Sequence, residues 1–278
     1  MDAVDLTVLA PAHNEEGNIV ELVEQIDRAI HPMGITHEII IVDDGSTDTT
    51  RTKLVELMKV RPWVRCIAMM RTPPGKGNGQ SAAFYAGFAE SRGRLIATLD
   101  ADLQNDPADL PGMIGLLTDT GSDMVQGDRS HARKDSAVRR VGSLVGRKFR
   151  LWLLGDSIRD TGCSLRVMKR EIAVQLPLQL KGMHRFIPVT ARHLGFKVVE
   201  MDVHHRARVA GETKYGMGIT KRAVPGLIDL FAVRYMRNRR RPVDHAEIMV
   251  APQPNVSMSS PSPVVVRTTT SQPVEARS

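Results

Sequence analysis

The chain has 278 residues, 42% hydrophobic and only 4% aromatic, with a net charge of +7 and two cysteines. That length suits one large α/β domain with appendages or two small domains, and the apolar share supports a sizeable core. Cys66 and Cys163 match no zinc or CxxC spacing, which argues against a metal-thiolate centre and for buried thiols in a reducing compartment.

The first residues, "MDAVDLTVLAPAHNEE", lack the basic and long apolar regions of a signal peptide. No window reaches the roughly 18–20 apolar residues of a membrane span. A soluble or peripheral, cytoplasmic protein is expected. Leu6 to Ala10 reads as a short buried strand, and Ile19, Leu22, Val23, Ile26 and Ile30 follow at helical spacing. "HEIIIVDDGS" is a second strand ending in acids. Ser46, Thr47 or Asp48 is placed to cap a helix that carries Leu54, Val55, Leu57 and Met58. "VRCIAMM" is a third strand, followed by the Gly/Pro-rich loop "RTPPGKGNGQ" and a small-residue helix, "SAAFYAGFAES". "LIATL" is a fourth strand, with Pro107 in the first turn of the next helix, and "DMVQGD" is a fifth. Beyond Gly127 come a basic helix at about Val138–Leu154, the segment "DTGCSLRVMKRE", a helix at "RFIPVTARHL" and a strand at "FKVVEMDV". From Val243 the chain is Pro/Ser/Thr/Val-rich and free of aromatics, and it reads as disordered.

Alternating strands and helices imply an α/β fold with a mostly parallel central sheet and helices on both faces. Ligands of such sheets bind beyond the carboxyl ends of the strands. Asp43 and Asp44 follow the second strand, and Asp100 and Asp102 the fourth. In an extended segment residues i and i+2 share a side, so Asp100 and Asp102 converge and Gln104 continues the row. This all-oxygen set suits Mg²⁺ or Mn²⁺, completed by water or phosphate oxygens. "APAHNEE", with Glu15, and "DDG" add acceptors for a sugar, a base and a metal-bound diphosphate.

"VLAPAHNEEGNI", "IIIVDDGSTD", "GQSAAFYAGF" and "TLDADLQNDP", in this order and spacing, resemble family 2 glycosyltransferases of the GT-A fold. "DTGCSLRVMKRE", "HRFIPVTARHLGFKVVEMDVHHRAR" and "GETKYG" resemble their dolichyl- or polyprenyl-phosphate sugar synthase branch, over roughly Leu6 to Arg241. The resemblance implies a nucleotide-diphospho-sugar donor, a divalent metal and inversion at the anomeric carbon. It implies that Pro11, His13, Glu15 and Asp43 line the nucleoside pocket, with Asp44 close by. Asp100 approaches the sugar and ribose, and Asp102 and Gln104 hold the metal, joined by Asp100 in some members. Arg129 and Arg206 face phosphate, with Lys214 nearby. Many relatives read "RNFGQ" where this chain has "RTPPGKGNGQ". The longer loop, with its extra cation Lys76, is either a lid over the donor or a tolerated insertion. Carboxy-terminal membrane helices, which many of these relatives carry, have no counterpart here.

The acceptor decides whether a base is needed. A hydroxyl requires a carboxylate to take its proton, whereas a phosphate monoester, with a second pKa of about 6, does not. Hydroxyl-using relatives commonly show a Glu-Asp pair where this chain reads "KGMHRFIP", with the cations His184 and Arg185 instead. Asp160 is the remaining base candidate, although a turn or an arginine pair suits it better. A polyprenyl phosphate acceptor is therefore expected, with a soluble hydroxyl acceptor as the alternative. Arg129, Arg139, Arg206 and Lys214 are the candidate acceptor-phosphate cations.

Between His204 and Pro242 ten Lys/Arg stand against Glu212 and Asp229, so the rest of the chain is nearly neutral. "RKDSAVRRVGSLVGRKFRLWLL" and "GITKRAVPGLIDLFAVRYMRNRRR" interleave cations with apolar residues, as do helices lying on an anionic membrane. Either these stripes pack on the core, or they meet an anionic membrane surface or a separate membrane subunit on the inner face. Nucleic acid is not expected, because the sheet-end acids repel it and stacking aromatics are few. Adjacent His204 and His205 point to opposite faces of a strand, which argues against a shared metal. The expected organisation is a catalytic domain over 1–205, a basic interface segment over 206–242 and a tail over 243–278.

Overall fold

The computed structural model describes residues 4–73, 76–131, 137–206, 219–241, 246–250 and 264–268. Side chains are described over the same stretches except 137–145, 219–224 and the two short strands at the end.

Strand β1 spans Val4–Ala12 and β2 His37–Asp43, both longer or sharper than their apolar runs suggest. Leu6, Val8, Leu9, Ile39, Ile40, Ile41 and Val42 are all fully buried. Such two-sided burial is the mark of a strand covered by helices on both faces. β3 (Val64–Ala68), β4 (Gly93–Thr98), β5 (Met124–Asp128), β6 (Arg166–Lys169) and β7 (Val198–Asp202) complete a seven-stranded sheet in the order β3-β2-β1-β4-β6-β5-β7. β6 runs antiparallel between β4 and β5, and the other pairings are parallel.

Helix α1 (Ile19–Ile30) buries Ile19, Leu22, Val23, Ile26 and Ile30, the helical stripe read from the sequence. Each such side chain contributes roughly 1.5–3 kcal/mol of burial. With α2 (Thr50–Val60) and α4 (Leu110–Asp119) it covers the face carrying Leu6, Val8 and Ala10. In α2 only Leu54 and Leu57 of the four expected apolar residues are buried, while Val55 and Met58 are exposed. The Asp48 carboxylate accepts from the Thr50 N–H at 3.0 Å and so holds the first turn of α2.

Helix α3 (Gln80–Glu90) covers the opposite face. It can lie close because residue 87 is glycine: a Cβ there would run into Leu9 and Val42. Then come α5 (Ala137–Leu154), α6 (Arg170–Ala173), α7 (Ile187–His193) and α8 (Ile219–Arg239, with Pro225 inside). The Phe149 ring of α5 meets Phe231 of α8 at 6.5 Å and Trp152 at 5.6 Å. Among the described residues, no helix is long and apolar enough to cross a membrane.

The chain divides into two units, Met1–Arg234 and Tyr235–Ser278. The second contains an antiparallel pair, β8 (Ala246–Val250) and β9 (Val264–Thr268), where the composition reads as disorder. The runs "AEIMV" and "VVVRT" carry β-branched and apolar residues, and their local β-propensity outweighs the polar composition around them.

Candidate active site

Parallel strands send their following loops to one sheet edge, so the ends of β1, β2, β4, β5 and β7 and the start of β6 meet there. The acids expected to bind a ligand stand at this edge. Asp43 and Asp44 are nevertheless committed to the protein. Asp43 is fully buried, accepting from the Ser46 N–H at 3.0 Å and from the Arg51 Nε at 2.6 Å. Burial opposes its charge, but these bonds outweigh burial and hold the carboxyl below its usual range. The Asp44 carboxylate accepts from the backbone N–H groups of Asn78 at 2.8 Å and Gly79 at 2.7 Å. A Cβ at Gly77 would collide with it. The end of the loop carrying exposed Lys76 is thus docked on Asp44, and Thr72 at its start packs on Gly45. His13 Nδ1 lies 2.7 Å from the Asp44 carbonyl, and the Glu15 N–H donates to Thr50 Oγ1 at 2.9 Å. Pro11 is half-buried near the end of β1.

After β4 the chain is not extended, contrary to the alternation argument. Leu103 has φ +60, a left-handed conformation costing a branched residue about 1 kcal/mol or more, with its side chain anchored in the core. The resulting turn brings the Gln104 N–H to within 3.2 Å of Asp102 Oδ1. Gln104 also receives the Arg206 N–H on its carbonyl at 2.8 Å. Asp100 is half-buried, with its Oδ1 2.6 Å from Gln80 Nε2. Burial pushes its carboxyl up; Ser164, Arg129 and Arg166 oppose this, and the charge of Asp102 adds to it. The charges of Asp100 and Asp102 act on each other, and paired carboxylates are ligands of the kind a hard divalent ion takes.

Behind Asp100 lies a buried cationic cluster. Arg129, after β5, is pinned by Asp160, with Nε 2.8 Å from Oδ2 and Nη2 3.3 Å from Oδ1. The Gln126 amide holds the adjoining loop through the carbonyls of Asp160 and Cys163. Arg166, at the start of β6, is buried and donates to the carbonyls of Cys163 and His184. Its Nε has no partner among the described residues. Burial lowers Arg166 to about 10, so it stays cationic at neutral pH. Burial also pushes the Cys163 thiol up to about 11. Cys66 is only half-buried, against the expectation of a fully buried thiol. Arg166 was not singled out from the sequence, although it stands in the quoted segment "DTGCSLRVMKRE".

Arg206 is held by two side chains beside the turn that follows Gln104. Its guanidinium pairs with Asp106 and donates to Gln25 Oε1 of α1 at 2.8 Å, on the wall of a cleft of about 280 Å³. Asp106 has two tasks here, since it also caps the turn at Pro107 by accepting from the Ala108 N–H at 3.0 Å. His204 is exposed and pairs with Asp109 at 2.7 Å. Lys214 lies outside the described residues, as does the side chain of Arg139. Asp128, His131 and Asp202 bring three possible ligand atoms within 4.8 Å of one another. Arg159 already lies 2.9 Å from Asp128 and 3.4 Å from Asp202, so an ion there would have to displace a cation.

A sheet of this order, with carboxylates at its ligand edge, has the architecture of the GT-A fold. A structure of glucosyl-3-phosphoglycerate synthase from Mycobacterium tuberculosis with Mn²⁺, UDP and glucosyl-3-phosphoglycerate superposes with a TM-score of 0.61 at 21% identity, covering 88% of this chain and 85% of that one. A mannosyltransferase from Pyrobaculum calidifontis with GDP-Man and Mn²⁺ gives 0.60 at 18% identity, covering 87% and 67%. These two show the fold alone.

The family described as Glycosyl transferase family 2 matches residues 7–176, and the chain belongs to it. Dodecaprenyl-phosphate galacturonate synthase of Rhizobium johnstonii is 35% identical over 252 residues, covering 87% of this chain and 70% of that protein. Undecaprenyl-phosphate 4-deoxy-4-formamido-L-arabinose transferase of Shewanella sediminis is 35% identical over 211 residues. The chain spans 62% of the length of that relative.

Proposed function

We propose that the protein is an inverting glycosyltransferase that moves a sugar from a UDP- or GDP-sugar to a polyprenyl phosphate at the cytoplasmic face of a membrane. The observation that carries this reading is the state of Asp160. The best base candidate is buried and held at two points by Arg129. A hydroxyl acceptor would need such a base. A phosphate monoester, largely dianionic near neutrality, would not. The polyprenyl-phosphate acceptors named for the two relatives support the same choice.

In this reading an acceptor phosphate oxygen bonds to the anomeric carbon while the bond from that carbon to the diphosphate oxygen breaks. The nucleoside diphosphate departs with the electron pair, the configuration inverts, and no proton has to move. Asp102, Gln104 and Asp100 would hold Mg²⁺ or Mn²⁺, which when bound supplies compensation for the charge of the departing diphosphate. Pro11, His13, Glu15, Asp43 and Asp44 line the nucleoside side, the last two through the loops they hold. Lys76 rides on the loop docked by Asp44. Arg129 and Arg206 spend part of their donors on Asp160 and Asp106 and keep further N–H groups for a phosphate. Arg129 also sets a positive field at Asp100.

We place the membrane contact on α5 and α8. Trp152 is 75% and Phe231 55% exposed, beside exposed Arg147 and Lys148. Apolar residues flanked by cations suit an anionic interface, each Lys or Arg adding about 1 kcal/mol near the surface. The test is sugar transfer from labelled UDP- and GDP-sugars to polyprenyl phosphate in liposomes. Lipid-dependent incorporation is expected, and incorporation only into soluble alcohols would overturn the reading.

A further inference from the structure

Three consecutive residues at the start of α3 bond to three different loops of the site. The Gly79 N–H donates to Asp44 Oδ2 at 2.7 Å. The Gln80 Nε2 donates to Asp100 Oδ1 at 2.6 Å. Ser81 Oγ lies 2.8 Å from His184 Nδ1 and accepts from the His184 N–H at 3.1 Å. We infer that Gln80 and Ser81 are positioning residues, Gln80 orienting Asp100 toward the divalent ion and Ser81 fixing the Met183–Phe186 turn through His184. The inference rests on the reading of Asp100 and Asp102 as metal-side carboxylates.

The chemistry of each link suits that task. A neutral amide donor engages one oxygen of Asp100 without cancelling its charge, so the carboxylate keeps its value to a cation while losing rotational freedom. Partners that orient a metal-binding carboxylate in this way typically govern metal affinity by about 10–100-fold. On the other side, Ser81 is 4% exposed and meets His184 at both the ring and the backbone. The His184 carbonyl in turn accepts from Arg166 Nη1 at 3.2 Å. Burial, with Arg185 and Arg166 adding to it, lowers His184 to about 3, so the ring is a neutral partner for the serine and not the cation expected from the sequence. Gly79 has φ +96, which lets the chain enter the helix while its N–H stays on Asp44. A shift of this one turn would therefore be felt at the nucleoside loop, the metal-side acid and the Met183–Phe186 turn together.

Mn²⁺ binding to the full chain, followed by loss of the free-ion electron paramagnetic resonance signal with UDP or GDP present, separates the links. Gln80→Leu is expected to weaken Mn²⁺ binding by about 10–100-fold while its melting temperature stays near that of the parent. Ser81→Ala is expected to keep Mn²⁺ affinity within about twofold and to lower kcat, because it touches the other arm. Parental Mn²⁺ affinity in Gln80→Leu, alongside loss of binding in Asp102→Ala, would overturn the inference and leave the metal reading intact. Parental affinity in Asp102→Ala would instead overturn the metal reading.

Discussion

Asp160 and Arg129 face each other as a buried two-point ion pair, 2.8 Å and 3.3 Å between their paired atoms, and the Arg129 charge favours the ionised form of Asp100. A carboxylate held this way is a structural anion. Removing it leaves an arginine buried without its partner, which typically costs about 3–5 kcal/mol. Asp160→Asn is therefore expected to lower the unfolding free energy by that order in chemical denaturation. Asp160→Asn with Arg129→Met should lose less than the sum of the singles. Additive losses would show that the two side chains do not depend on each other.

Gly77 tests the docked loop. Any side chain there meets the Asp44 carboxylate, so Gly77→Ala should lift the Lys76 loop off its anchor. The donor KM should rise several-fold, with kcat changing by less than about twofold if the loop contributes uniform binding. An unchanged KM would identify the loop as a tolerated insertion.

His184 makes a pH prediction. Its folded-state pKa is depressed to about 3, by burial first and then by Arg185 and Arg166. The unfolded imidazole takes up a proton near pH 6.5, and the folded one does not until near pH 3. Between these values the unfolded state binds more protons, so stability falls as the pH falls. Melting curves of His184→Gln should show a shallower decline than the parent from pH 6.5 to 4. Parallel declines would mean that His184 titrates normally in the fold.

The exposed rings of α5 and α8 bear on location. Trp152→Ser with Phe231→Ser removes two large apolar groups, each worth roughly 1.5–3 kcal/mol when buried. Cosedimentation with anionic liposomes should fall by at least about tenfold, with secondary structure unchanged by circular dichroism. Undiminished binding would move the contact elsewhere.

Much of the fold was legible because the α1 stripe and the β2 run "EIIIV" carry strong periodic signals. The antiparallel strand β6 was missed because it is only four residues long and begins and ends in cations, Arg166 and Lys169. Its place between β4 and β5 is a tertiary fact that no local pattern encodes. The acids of the site were legible as residue types at strand ends. Their partners were not: Arg51 on Asp43, Gly79 on Asp44 and Asp160 on Arg129 come together only through folding. Arg206 illustrates the same limit, since Gln25, which helps to hold it, lies 181 residues away in sequence.

Sugar transfer to a phosphate is tested most directly by the product. The protein would be incubated with labelled UDP- and GDP-sugars, Mg²⁺ or Mn²⁺, and liposomes carrying polyprenyl phosphate, and the lipid extract analysed by mass spectrometry and NMR. A polyprenyl-phosphate sugar with inverted anomeric configuration is expected, absent with Asp102→Ala. Donor hydrolysis without a lipid product, or transfer to a soluble alcohol that proceeds equally without lipid, would contradict it.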